Sequence, residues 1–327
     1  MTPAAWPRAA ERVLWVAGER IRHRRRTDLP AILLPGDLVV VNDAATLPAS
    51  LAGDGVELRL TAAEPDGSFQ AVVFGAGDWR TRTEDRPPPP SLASGSVLTF
   101  GALTATVVAV SPLSPRLVTV RFAEEGAALW QALYRVGRPI QYAHVAAPLA
   151  LWHVQTGWGT RPWAFEPPSA GLTLSFSIVL ALRQRGVALA TLTHAAGLSA
   201  TGDPVLDAAL PLDERYELPA ATIAAIERAE RVIAVGTTVV RALEGCAAAH
   251  DGRLVAGPGR TDLVLDERHE RRIVDGLLTG QHEPGTSHYR LLGAFARAHV
   301  LARAADAAER AGYLSHEFGD ALLLLSE

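Results

Sequence analysis

Across residues 59 to 125 the chain carries no helical pattern. The segments "VELRLTA", "FQAVVFGAG", "GSVLTFGALTATVVAVS" and "PRLVTVRFA" are short, alternating and rich in β-branched residues, with Gly, Pro, Asp and Ser between them. Several such strands with no helix among them can close only as a small antiparallel barrel or sandwich, and "RPPPPSLASG" reads as a stiff loop within it. On either side, strand and helix alternate. "PAILLPGDLVVVND" ends in a buried strand that delivers Asn42 and Asp43 at its carboxyl end. Later, "VALATLTHAAG" and "RVIAVGTT" read as strands among the helices "GAALWQALYRVG", "FSIVLALRQRG", "PAATIAAIERAE" and "VVRALEGCAAA". "LLGAFARAHVLARAADAAERAG" is one long helix or two shorter ones, and "GDALLLL" is a closing strand. That order predicts a parallel or mixed sheet with helices packed outside it. The expected fold class is α/β: a discontinuous domain with a mixed sheet, residues 1–58 and 126–327, interrupted by an inserted small antiparallel β-barrel or sandwich, residues 59–125.

Composition narrows the function classes. The 327 residues are 48% hydrophobic, enough for a sizeable core, and the net charge of −4 does not call for nucleic acid or an anionic membrane. One cysteine excludes a disulfide framework within the chain and a cysteine zinc cluster. No apolar run approaches the roughly 20 residues of a spanning helix, and "MTPAAWPRAAERVLWVAG" lacks a signal-peptide core. A soluble, cytoplasmic, monomeric protein without membrane contact is expected. All 31 basic residues are arginine and there is a single asparagine, Asn42. Arginine therefore says little about chemistry here, and Asn42 says more.

Four corners carry candidate chemistry. In "RVIAVGTTVVRALEG" a strand turns into a helix at Thr237 and Thr238, with Arg241 on the same helical face. One hydroxyl could cap the helix and the other bond an anionic ligand group; a plain cap with a solvated arginine is the alternative. Asn42 and Asp43 could hold a base or ribose and accept a proton, or could form an Asn-Asp turn. In "DGLLTGQHEPGTSHYRLL", His282 is a candidate acid or base, or a loop histidine, and Thr286 a candidate cap. "HVQTGWGTRPWAFEPPSAGLTLS" offers Ser169 and Gly171 in "PSAG". "RIRHRRR" could touch phosphate or be an exposed hairpin face. No spacing suits a metal.

In order along the chain, "PGDLVVVNDAATLPASL", "VQTGWG…PPSAGL", "RVIAVGTTVVRALE", "VDGLLTGQHEPGTS" and "FGDALLL" resemble the S-adenosylmethionine:tRNA ribosyltransferase-isomerases of queuosine biosynthesis, from about Val13 to Leu324. The resemblance, and not the strand pattern, implies that the larger domain is an irregular, barrel-like α/β catalytic domain with an inserted small β-barrel. It also implies transfer and isomerisation of the ribosyl part of S-adenosylmethionine onto 7-aminomethyl-7-deazaguanine in the tRNA anticodon, without a metal. Epoxyqueuosine forms, and adenine and methionine leave. The chemistry needs a base beside the sulfonium and a donor to the departing adenine, for which the candidates are Asp43, His282 and Asp320. Asn42, Ser169, Gly171, Thr237, Thr238, Arg241 and Thr286 would bind S-adenosylmethionine. The chain departs from the family where "PTAGLHF" becomes "PSAGLTL", with Thr173 for His, and where "NDTRVIPARL" becomes "NDAATLPASL", losing two arginines. "NFHLPKST" becomes "GQHEPGTS", gaining Glu283, and "LHVGAGTF" becomes "LTHAAGLS", with His194 nearby. These departures leave open a paralogue acting on another, small acceptor, or a non-catalytic tRNA-binding relative.

Overall fold

The structure is a computed structural model that describes residues 1–3, 11–145, 147–315 and 317–325. The stretch read for a signal peptide lies partly outside these residues. A nine-stranded mixed sheet runs in the order Gly257–Thr261, Glu214–Leu218, Ala188–His194, Asp37–Asn42, Arg231–Val235, Gly276–Gly280, Ala321–Leu325, Arg12–Ala17, Arg20–Arg25. The four strands from Ala188–His194 to Gly276–Gly280 are mutually parallel. Asp37–Asn42 lies among them, and every one of its residues is buried. This is why it reads as an unbroken apolar run rather than an alternating one.

The pleat sorts the central strands onto two cores. Leu38, Val40, Val232, Ala234, Leu322 and Leu324 face one cluster, together with Val239, Val240 and Leu243 of the helix Thr237–Ala249. Val39, Val41, Ile233, Val235, Leu323 and Leu325 face the other, under Ile178 and Leu182 of the helix Phe176–Gln184. Successive side chains of a strand point to opposite faces, so adjacent residues serve different layers. At the amino ends of the central strands Arg231 grips Asp37 with two bonds of 2.8 and 2.7 Å.

The second sheet has six antiparallel strands, ordered Ser50–Gly53, Val56–Ala63, Phe69–Phe74, Leu117–Phe122, Leu103–Val110, Val97–Phe100. It begins at Ser50, ahead of residue 59 where the sequence texture changes. Its two outer strands approach closely: a Cβ on Gly53 would sit 2.7 Å from the Thr99 carbonyl oxygen, so only glycine fits there. The sheet is thus a nearly closed barrel around Leu58, Leu60, Phe74, Phe100 and Val120, all buried. A charged network lies at its rim. Arg59 is 1% exposed and donates to Glu57 at 2.7 Å, Ser50 donates to the same oxygen at 2.7 Å, and Arg86 pairs with the other Glu57 oxygen. Arg86 also bonds the carbonyl of Gly77 at 2.9 Å.

The alternation expected from residue 126 onward is present, and the C-terminal helical stretch is two helices, Ser287–Leu292 and Ala298–Arg310. Three strands of the nine-stranded sheet are not expected from the sequence pattern: Glu214–Leu218, Gly257–Thr261 and Gly276–Gly280, the last of which falls in a segment that reads as a turn, a loop and a helix start. Glu214–Leu218 is polar on alternate residues, and Gly257–Thr261 contains two glycines and a proline at the sheet edge. Among the described residues no helix is long and apolar enough to cross a membrane.

Candidate active site

A cavity of about 630 Å³ opens at the carboxyl ends of the parallel strands, where α/β sheets place their ligands. Its walls come from five stretches distant in sequence. These are 166–170, 196–200, 235–238, 279–283 and, from the six-stranded barrel, 82–84. Tyr142, His144, Glu214, Arg241, Thr286 and Glu317 are among its other lining residues.

The corner at Thr237 and Thr238 is built around Gly236. This residue is the helix N-cap, with φ +94°, a backbone region that glycine enters without strain. The expected threonine cap is therefore absent: both threonines lie inside the first turn, and neither hydroxyl bonds a described residue. The first-turn N–H groups of this 13-residue helix and the two hydroxyls border the cavity. Ser169 borders it too, from the short helix Ser169–Thr173. Gly171 is buried behind that wall, where a Cβ would sit 2.8 Å from Thr156.

Arg241 reaches the cavity but is already held. Its guanidinium pairs with Glu214 and donates to the carbonyls of Leu263 and Thr261 at 3.2 and 3.3 Å. Glu214 also accepts from the Gly197 amide at 2.7 Å, and His194 Nε2 lies 3.3 Å from it. Burial and the Arg241 charge keep the His194 imidazole well below its ordinary pKa, so it is neutral.

His282 borders the cavity, with Nε2 2.8 Å from the Thr279 hydroxyl and its ring stacked on His288 at 5.1 Å. Burial, with Arg241 nearby, pushes His288 down to about 4. Thr286 is the cap of the helix Ser287–Leu292, accepting from the Tyr289 amide at 3.1 Å and donating to the Glu283 carbonyl at 2.9 Å.

With Gly171, four of the expected residues lie outside the cavity walls; the other three are Asn42, Asp43 and Asp320. Asn42 is 3% exposed; its carbonyl accepts from the amides of Ala44 and His194, and its amide donates to the His194 carbonyl, each at 3.0 Å. It thereby ties two neighbouring strand ends together. Asp43 accepts from the Thr193 hydroxyl at 2.6 Å. The strand Arg161–Ala164 runs alongside Ala44–Thr46 next to it, and Trp158 donates to the Asn42 carbonyl at 3.2 Å. Asp320 is fully buried and accepts from the Arg12 and Leu314 amides, both at 2.9 Å, and from the Arg12 guanidinium at 2.8 Å.

Sequence reasoning missed Glu166. One oxygen of its half-buried carboxylate accepts from the Ser199 amide at 3.0 Å and from the Tyr142 hydroxyl. Burial raises this carboxyl to about 7. Tyr142 is driven well above its ordinary value by burial and by the Glu166 charge. Beside them His144 and Glu317 meet at 2.6 Å. Glu84, Glu166, Glu214, Glu283 and Glu317 line the cavity against only Arg82 and Arg241. Those two arginines are paired with Glu84 and Glu214. The cavity therefore favours a cation. Among the described residues no group of three or more His, Cys, Asp or Glu could hold a metal ion.

Comparison with known proteins agrees with this architecture. The family described as "Queuosine biosynthesis protein" matches residues 2–324. A protein of Anaeromyxobacter dehalogenans named S-adenosylmethionine:tRNA ribosyltransferase-isomerase is 38% identical, over 98% of this chain and 93% of its own. A protein of Gloeobacter violaceus with the same name is 35% identical, over 98% and 91%. The crystal structure of S-adenosylmethionine tRNA ribosyltransferase from Thermotoga maritima shares the fold, with a TM-score of 0.52 at 24% identity over 99% of this chain and 96% of that one. With a family match from residue 2 to residue 324, this chain belongs to the queuosine biosynthesis protein family.

Proposed function

We propose that this protein transfers and isomerises the ribosyl part of S-adenosylmethionine onto 7-aminomethyl-7-deazaguanine in tRNA, releasing adenine and methionine and leaving epoxyqueuosine. The observation that carries the reading is the cavity. It is framed by the segments 166–170, 235–238 and 279–283, and it has the charge that a sulfonium and an ammonium require. Its volume suits a nucleoside of this size. The first turn of the helix Thr237–Ala249 and its two hydroxyls hold the carboxylate of the methionyl part. The carboxylates opposite hold its cationic groups. The barrel segment around residues 59–125 acts as an inserted unit whose 82–84 loop closes one side.

Two proton transfers are needed, and two groups on the walls suit them. Glu166, poised near neutrality, takes the proton from the carbon beside the sulfonium. His282 donates to the adenine as the glycosidic bond breaks and its electron pair passes to the purine nitrogen. Asp43 and Asp320, away from the cavity, act on structure. The test is adenine release from S-adenosylmethionine in the presence of tRNA carrying 7-aminomethyl-7-deazaguanine. Release that requires this tRNA supports the reading. No release with it, or equal release without it, overturns the reading.

A further inference from the structure

The strand Arg20–Arg25 closes one end of the nine-stranded sheet. Arg20, Arg22, Arg24, Arg25 and Arg26 fall within seven residues, and the strand is mostly exposed. Among the described residues no carboxylate forms an ion pair with Arg22, Arg24, Arg25 or Arg26; of the two flanking acids, Glu19 is taken by His299 and Arg303, and Asp28 accepts the Arg25 amide at 2.9 Å. The Arg22 and Arg24 guanidinium groups lie over the Trp15 ring at 4.9 and 5.8 Å, which holds the two cations side by side. Unpaired guanidinium groups held close together on an open edge are a footprint for phosphate.

Their position ties them to the cavity. The sheet register runs Gly280 to Ala321, Ala321 to Val13, and Val13 to Arg24. Gly280 lines the cavity, so Arg24 lies in register with a cavity wall, three strands away, at about 14 Å. Arg26 reaches across with Nη1 3.5 Å from the carbonyl of Leu172, in the helix whose Ser169 is a cavity wall. Inside the cavity five carboxylates face two paired arginines, so a polyphosphate strand is repelled there. An RNA base that enters must leave its backbone outside, on a cationic surface within reach.

Resting on the reading above, we propose that Arg22 and Arg24 on this sheet edge, with Arg26 in the turn that follows it, form the surface that grips the phosphate backbone of the acceptor tRNA while its modified base occupies the cavity. The surface supplies position and affinity and takes no part in bond making.

The test compares wild type with Arg22→Ala/Arg24→Ala and Arg22→Lys/Arg24→Lys. It measures tRNA binding across a salt series and the KM and kcat of adenine release. In the alanine variant the log–log salt slope of tRNA binding becomes shallower by about 2 and KM for tRNA rises about tenfold, with kcat unchanged. The lysine variant recovers most of the slope, because charge rather than fork geometry is the need. Calorimetric binding of S-adenosylmethionine is equal in all three, which verifies folding. An unchanged slope and KM in a wild-type-active background overturn the proposal. So does a loss of binding to phosphatidylserine vesicles with tRNA binding intact. If wild type binds tRNA with this arginine-dependent slope yet releases no adenine, the surface stands and the assigned reaction falls.

Discussion

Replacing Glu166 by glutamine separates the acid–base reading from a merely polar one. The carboxyl is raised from 4.5 to about 7, chiefly by burial. That interval corresponds to about 3 kcal/mol between the protonated and ionised forms. A raised carboxyl binds its proton more tightly in the native state. Its contribution to stability is complete below pH 4.5 and is lost as pH rises through about 7. Above that, wild type holds a half-buried carboxylate at a penalty of up to about 3 kcal/mol, reduced by its border with the open cavity. Glutamine keeps an acceptor for the Ser199 amide and the Tyr142 hydroxyl but cannot ionise. Urea unfolding at about pH 4, 5.5, 7 and 8.5 should therefore show the variant level with wild type at the acid end. At pH 8.5 it should be more stable by about 1–3 kcal/mol. Adenine release should fall by about a hundredfold or more, and the pH–rate inflection near 7 should vanish. Parallel stability curves would refute the raised carboxyl. Release within threefold of wild type would remove Glu166 from proton transfer.

Three further outcomes follow from the same geometry. Glu214→Ala strands the Arg241 guanidinium and the Gly197 amide and should cost about 3–5 kcal/mol in urea unfolding; a loss below about 1 kcal/mol would mean the pair contributes little. Thr238→Val should weaken S-adenosylmethionine binding about tenfold by calorimetry, and an unchanged Kd would take its hydroxyl out of the site. Asp43→Asn should retain adenine release, because Asp43 faces Thr193 rather than the cavity; a drop of about a hundredfold in a folded variant would return it to the acid–base groups.

What could be read from sequence followed the strength of local pattern. Three of the four parallel strands, the helix after Gly236 and the antiparallel texture near residues 59–125 announce themselves through apolar runs or periodicity; the fourth parallel strand, Gly276–Gly280, is hidden between a turn and a loop. The edge strand Gly257–Thr261 does not, because glycine and proline are tolerated where one side of a strand is unpaired. The cavity wall was legible at Thr237, Thr238, Ser169 and His282, which lie where strands end and helices begin. Asn42, Asp43 and Asp320 lie off that wall. A polar residue at a strand end bonds a ligand or a neighbouring strand with the same atoms, and only the fold decides which. Arg241 read as a ligand cation because Glu214, which neutralises it, stands 27 residues upstream in an unread strand. Glu166 had no motif of its own; its chemistry arises from Tyr142 and Ser199, 24 and 33 residues away.

The Glu57 network bears on how far the small β-barrel can be treated as a detachable module. Glu57 anchors Arg59, whose guanidinium lies 5.2 Å from the Tyr142 ring, and Arg86, two residues beyond the 82–84 wall. One carboxylate thus braces both the tyrosine that touches Glu166 and the loop that closes the chamber. A graft that swapped this barrel for a look-alike would need to carry Glu57, Arg59 and Arg86 along with it, or the reaction chamber would lose a side.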